Sequence, residues 1–243
     1  VPLRLFHKHR IICRIRGVRV TTALLPVGDP RSYSMSLTLS SRDLQAVSGA
    51  IRLLLSPLDH EHTDAWRAAV TCELKKLLKA DAGGFLLTGA EGPLFQTDDF
   101  PQEIVETSSL QPPPLPDGTE MLERGLELRV SKLELAYGPH VERYYRSDYY
   151  NEYASQLSKH DTLFTMARLE AAPDGIASLQ LFHERRTGRT FGERELSILR
   201  LLYPAFQAGA EMSVRWATHR RELVQVMETL GQAAMLCDMQ GRV

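Results

Sequence analysis

Between Thr190 and Leu230 the chain repeats apolar residues at helical spacing for longer than a small domain has core to cover. Leu196, Leu199, Leu202 and Phe206 mark one helix face; Trp216, Leu223, Met227 and Leu230 continue it, interrupted by polar Ser213 and Arg220. Thr190-Phe191-Gly192-Glu193 in front has the form of a capping box, a hydroxyl to accept from an early helical N–H and a carboxylate three residues on to reach back. The first half of such a helix is expected to pack on a domain and the second half to leave it. Trp216, Leu223, Met227 and Leu230 would then stand exposed unless they pair, so a homodimer through this connector is expected. Pro204 is expected to kink the helix where it departs.

What precedes the helix reads as helices and hairpins rather than as alternating strand and helix. Ser40 or Ser41 can cap a helix with Leu44, Val47, Ile51, Leu54, Leu55 and Leu58 along one face, and Pro57 ends it or lies just past its end. Thr63 can cap a second helix carrying Trp66, Val70, Leu74, Leu77 and Leu78, which Asp81-Ala82-Gly83-Gly84 should stop. Phe85–Thr88 and Leu94–Thr97 read as two short strands around a turn at 89–93. Gln111 to Gly118 is proline-rich and must be an exposed loop. Met121–Val130 and Asp148–Leu157 are candidate helices, the second rich in tyrosine. Leu163–Leu169 and Ile176–Phe182 flank Ala172-Pro173-Asp174-Gly175, a strong hairpin signal. The fold class is therefore α+β, an antiparallel sheet with flanking helices and a long carboxy-terminal connector helix.

Charge and cysteines narrow the function classes. Residues 1–34 carry Arg4, Lys8, Arg10, Arg14, Arg16, Arg19 and Arg31 against Asp29 alone, while the whole chain has a net charge of −1. The rest is thus acidic and repels a phosphate backbone unless another module supplies the contact. Segment 1–34 superficially suits a transit peptide, but it is read as a disordered or non-native extension because a clean helical pattern follows Met35. Cys13, Cys72 and Cys237 form no paired pattern and read as reduced thiols of a cytoplasmic protein, with Cys72 buried and inert on the second helix. No apolar run is long enough to span a membrane. Ala233–Val243 looks like a strand, a turn and the first residue of another strand, so the natural protein is expected to continue.

Several segments resemble a known family. Phe191-Gly192-Glu193-Arg194-Glu195-Leu196 with Leu201-Leu202-Tyr203-Pro204-Ala205-Phe206-Gln207-Ala208-Gly209 is similar to the end of the amino-terminal sensory region of bacterial LuxR-type helix-turn-helix transcriptional regulators. Tyr149-Tyr150-Asn151-Glu152-Tyr153 and Leu54-Leu55-Ser56-Pro57-Leu58 resemble recurring segments of the same region. The resemblance covers Met35 to about Leu230. It implies a GAF-like sensory domain over 35–205, a connector helix over 206–231 and the truncated start of a PAS-like domain over 232–243. In such regulators a DNA-binding domain closes the chain. No helix-turn-helix segment is present in this sequence, so DNA contact is expected only through a missing carboxy-terminal domain.

Candidate sites follow. An unknown small-molecule ligand is expected against Phe85, Tyr145, Tyr149, Phe164 and Phe182, aromatic groups on the strands and in the tyrosine-rich segment; packing of the sheet is their other use. His60 and His62 lack further ligands at a recognised spacing, so no metal and no cofactor is expected. Glu184 to Arg189 is basic but reads as a solvated turn. No nucleophile elbow, phosphate-binding glycine loop or HExxH is present, and an enzyme is not expected. The reading is a sensory module that shifts the connector helix when ligand binds. A small-molecule enzyme on an α+β scaffold and a ligand-free dimerisation platform are the alternatives.

Overall fold

The structure, a computed structural model, describes residues 19–21, 36–88, 94–100, 117–153, 155, 159–172 and 174–229. They fall into two compact units, Val1–Gly49 and Ala50–Val243. In the first, β1 (Arg19–Thr21) pairs antiparallel with β2 (Ser36–Thr38). β1 lies in the amino-terminal segment read as an extension; 1–18 and 22–34 lie outside the described residues. α1 (Ser41–Leu54) begins here on a reciprocal cap: Asp43 N–H donates to Ser40 Oγ, and Ser40 N–H donates back to the Asp43 carboxylate, both at 3.1 Å.

The second unit is built on a five-stranded antiparallel sheet in the order β4–β3–β7–β6–β5. These are β3 (Ala82–Thr88), β4 (Leu94–Gln96), β5 (Val130–Lys132), β6 (Lys159–Arg168) and β7 (Ile176–Glu184). The expected hairpin forms as β6 and β7, with Leu163 opposite Leu181 and Ala167 opposite Ala177. Its turn holds Asp174 at φ 60°, a conformation Asp tolerates better than most residues, and Gly175 N–H closes it on the Ala172 carbonyl. The expected hairpin of β3 and β4 also forms; its turn at 89–93 lies outside the described residues.

The register divides the side chains between two faces. Phe85 stands opposite Leu179 and Leu179 opposite Thr165, whereas Gly84, Gln180 and Phe164 occupy the next rung and point the other way. The first face is covered by α2 (Thr63–Leu78) and α6 (Glu193–Thr229). There Phe85 packs between Trp66 and Phe206, with ring centroids 5.8 and 5.7 Å apart, and Trp66 Nε1 donates to the Leu53 carbonyl. The second face carries Phe164 and Met166, against which Met121, Leu122 and Leu126 of α3 (Gly118–Leu128) and Ala136 of α4 (Leu133–Tyr137) pack.

Local chemistry differs from the sequence reading at several ends. α2 has His62, not Thr63, at its cap position, and it stops on Lys79 in the left-handed conformation at φ 56°. Gly83 and Gly84 do not end the helix; they lie inside β3, because a Cβ on Gly84 would sit 2.3 Å from the Phe95 ring. α6 starts at Glu193, one residue-pair later than the expected box: Gly192 N–H donates to the Glu195 carboxylate at 3.0 Å. It runs through Pro204 to Thr229 as one helix. The helix expected over Met121–Val130 ends at Leu128, and Val130 opens β5. Of the helix expected over Asp148–Leu157, Tyr149–Tyr153 form a turn of π-helix, preceded by the short α5 (Val141–Tyr145), while 154 and 156–157 lie outside the described residues. Cys72 is exposed, not buried.

Candidate ligand site and connector

Short helices α4 and α5 and the π turn gather five tyrosines over the second face of the sheet. Tyr137 and Tyr144 are buried, and Tyr145, Tyr149 and Tyr150 pack on them together with Met121, Leu133 and Val141. Tyr144 is the hub, its ring centroid 4.9 Å from Tyr137, 5.3 Å from Tyr145, 5.4 Å from Tyr150 and 6.1 Å from Tyr149. Met121 belongs to this layer and also to the Phe164–Met166 cluster, so it joins the tyrosines to the sheet. Burial, reinforced by neighbouring phenols and carboxylates, pushes the hydroxyls of Tyr137, Tyr144 and Tyr145 above their ordinary pKa. At neutral pH they are neutral donors.

Polar atoms within this layer are unevenly satisfied. Tyr145 OH donates to Glu134 Oε1 at 3.1 Å. Glu134 Oε2 and the Tyr137 hydroxyl are buried with no hydrogen-bond partner among the described residues, and both residues sit on α4, three apart and therefore on neighbouring positions of one helix surface. Ser178 Oγ, fully buried on β7 opposite Met166, is the third such atom on this side of the sheet. An unpaired buried polar group costs about 1–3 kcal/mol. Glu134 and Tyr137 together offer a carboxylate acceptor and a phenol donor within an aromatic layer.

Of the expected ligand residues, Tyr145, Tyr149 and Phe164 come together here through Met121. Phe182 faces the same side but packs edge-on to Phe100 at 5.6 Å. Phe85 is 1% exposed on the opposite face, between α2 and α6, and is not brought to the tyrosines. Tyr137, Glu134 and Ser178 escaped the sequence reading. The available signal was a carboxylate set among Leu133, Leu135 and Ala136 in a segment too short to register as a helix. His62 lies 3.6 Å from the Glu61 carboxylate, and among the described residues no group of three His, Cys, Asp or Glu side chains is arranged to hold a metal ion.

The same two strands fix the root of α6. Asp161 on β6, 4% exposed, accepts from Phe191 N–H at 2.7 Å and from Lys132 at 2.8 Å. The Phe191 ring stacks on His183 of β7 at 4.2 Å, and His183 Nδ1 lies 3.0 Å from Asp81. Burial raises the Asp81 carboxyl, but hydrogen bonds from His183, Glu184 N–H and Thr187 outweigh it and hold the group below the usual carboxylate range. Beyond the root, α6 is buried at Leu196, Leu199, Leu202, Phe206, Gly209 and Ala210 and last at Ser213. Past that point Trp216 is 47% exposed and Leu223 39%, while Met227 is half-buried; Leu230 lies outside the described residues. None of the described helices is long and apolar enough to cross a membrane.

No protein-family model matches the chain, and no curated protein matches it. Among solved structures it is similar to the ligand-binding domain of VqsR from Pseudomonas aeruginosa, 18% identical, over 73% of this chain and 98% of that one, with a TM-score of 0.46. It is similar to CepR2 from Burkholderia cenocepacia, an N-acylhomoserine-lactone-dependent LuxR-family transcription factor, 12% identical over 73% and 99% of the two chains, TM-score 0.47. The GAF domain of a putative sensor histidine kinase from Pseudomonas syringae pv. tomato is 16% identical over 77% and 97%, TM-score 0.38. These are likenesses of chain path alone.

Proposed function

We propose that residues 35–205 form a sensory domain that binds a small, largely apolar ligand, and that residues 206–231 are the connector through which binding is communicated. The observation that carries this reading is the pair of buried, unpartnered atoms on α4, Glu134 Oε2 and Tyr137 OH, within a layer of tyrosine rings. A neutral head group with one N–H and one carbonyl satisfies both: the N–H donates to the carboxylate and the phenol donates to the carbonyl. Its apolar remainder lies against Tyr149, Met121 and Phe164. No step of chemistry is needed, and the reading is of a receptor rather than an enzyme.

Transmission follows from β6 and β7. Their second-face residues Phe164 and Met166 reach the tyrosine layer through Met121; their ends, Asp161 and His183, hold Phe191 at the root of α6. A ligand that binds one arrangement of these strands more tightly biases the position of α6 by its difference in affinity for the two. Trp216, Leu223, Met227 and Leu230 are spaced by seven, four and three, the repeat of a two-helix seam, which supports a second copy of this chain as the partner of the exposed half. The segments that resemble LuxR-type sensory regions support the narrower reading of a transcriptional regulator in which another domain contacts DNA.

N-acylhomoserine lactones, with one amide between an acyl tail and a polar ring, meet the chemical description and serve as the probe. Titrating a series of graded acyl length should raise the melting temperature saturably. Tyr137→Phe should keep the fold and weaken binding by about tenfold, the equivalent of one hydrogen bond of ~1.4 kcal/mol. A melting temperature indifferent to every member of the series, or affinity unchanged in Tyr137→Phe, removes the assignment of this site.

A further inference from the structure

A pocket lies on the first face of the sheet, away from the tyrosines. It has a volume of about 710 Å³ and is lined by Cys72, Lys75, Lys76 and Lys79 of α2 and its cap, by His183 of β7, and by Arg189, Thr190 and Glu195 before and within the first turn of α6. That volume falls in the range of small-molecule sites. Four of its side chains carry fixed positive charge and one carries negative charge. The negative one is already occupied: Glu195 accepts from Gly192 N–H and from Arg194. Lys75 is paired with Asp99, and Arg189 lies 3.7 Å from Asp81. Lys76 and Lys79 have no ion-pair partner among the described residues.

Lysines near the end of a helix are favoured by its dipole, which accounts for three of these groups on α2. It does not account for a fourth cation, Arg189, on the facing wall, nor for the open volume between the walls. We infer that this pocket binds a compact phosphorylated small molecule with at least two negative charges, held between Lys76 and Lys79 on one side and Arg189 with Thr190 on the other. Point-charge ammonium groups suit phosphate oxygens. The lining holds no aromatic ring free to stack on a base, since His183 is stacked on Phe191, and this favours a non-nucleotide phosphate ester or a diphosphate. Occupancy would bridge the end of α2 to the root of α6. The inference is independent of the tyrosine site, which lies across the sheet.

Inorganic pyrophosphate is the probe. Isothermal titration of the full chain at low ionic strength should show saturable binding, with sodium sulfate at matched ionic strength giving a clearly weaker response. Lys76→Gln with Lys79→Asn removes both unpaired charges while keeping a helix former and a residue that tolerates positive φ; affinity should fall about tenfold or more. Arg189→Gln on the opposite wall should produce a separate loss, and circular dichroism verifies that each variant folds. Absence of saturable binding, an equal response to sulfate, or affinity retained in both the lysine and the arginine variants overturns the inference.

Discussion

A methyl group added at Gly209 would lie 1.9 Å from the Leu54 carbonyl oxygen and 3.0 Å from the Trp66 ring, so this residue sets how closely α6 approaches its domain. Gly49 on α1 has nothing within 4 Å of the same added atom. The two glycines therefore predict opposite signs. Gly209→Ala should lose about 1–3 kcal/mol by overpacking, whereas Gly49→Ala should gain roughly 0.5–1 kcal/mol by helix propensity. Urea denaturation compares them directly, and equal effects would contradict the packing. The phenols make a second prediction at this scale. Unfolded tyrosine ionises near pH 10, while burial keeps Tyr137, Tyr144 and Tyr145 protonated above that value. The unfolded state then binds fewer protons, so stability should hold below about pH 10 and fall as pH rises beyond it. Absorbance at tyrosinate wavelengths should show a late-titrating fraction; all phenols titrating together near their ordinary value would refute it. Neither the tightness at Gly209 nor the hub role of Tyr144 could be read from the chain, because both depend on partners far away in sequence or on segments of irregular path.

Elements were readable where local chemistry agrees with the fold. The Pro-Asp-Gly turn with alternating strands yields β6 and β7, and Ser40 caps α1 as its spacing with Asp43 allows. Where tertiary packing decides, the local signal misleads. Gly83 and Gly84 look like a helix stop, yet their lack of a side chain serves β3, where Phe95 and Leu181 crowd the backbone. The five-residue helices α4 and α5 are too short for periodicity to reveal, and they carry the most polar part of the candidate site. The junction before α6 was equally hidden, since Asp161 lies 30 residues from the N–H it accepts. Asp161→Asn removes the charge shared by Lys132 and Phe191 N–H and should cost about 1–3 kcal/mol. Hydrogen exchange should quicken first over residues 193–200, while amides in β3 keep their protection. Uniform loss across the sheet would show that Asp161 supports the core in general rather than this root.

At the scale of the molecule, the sequence conveyed the division of α6 between a buried and an exposed half, because that division is written in the apolar period alone. The sequence reading began the connector at 206, whereas α6 is still buried at Phe206, Gly209 and Ala210 and last at Ser213. Leu223→Glu with Met227→Glu should convert a dimer to a monomer in sedimentation without changing the melting of the sheet, since both residues lie beyond the last buried turn. A dimer mass that survives both substitutions would assign association to another surface.

Because α6 is one uninterrupted helix of 37 residues, the proposed connector would act as a lever whose fulcrum is the last buried turn. The 16 residues after Ser213 extend roughly 24 Å, so a swing of about 10° carries the tip through ~4 Å. A displacement too small to disturb the strands thus becomes, at the far end, a step comparable to most of a helical turn. Mechanical gain of this kind comes from length and stiffness, whatever molecule supplies the push.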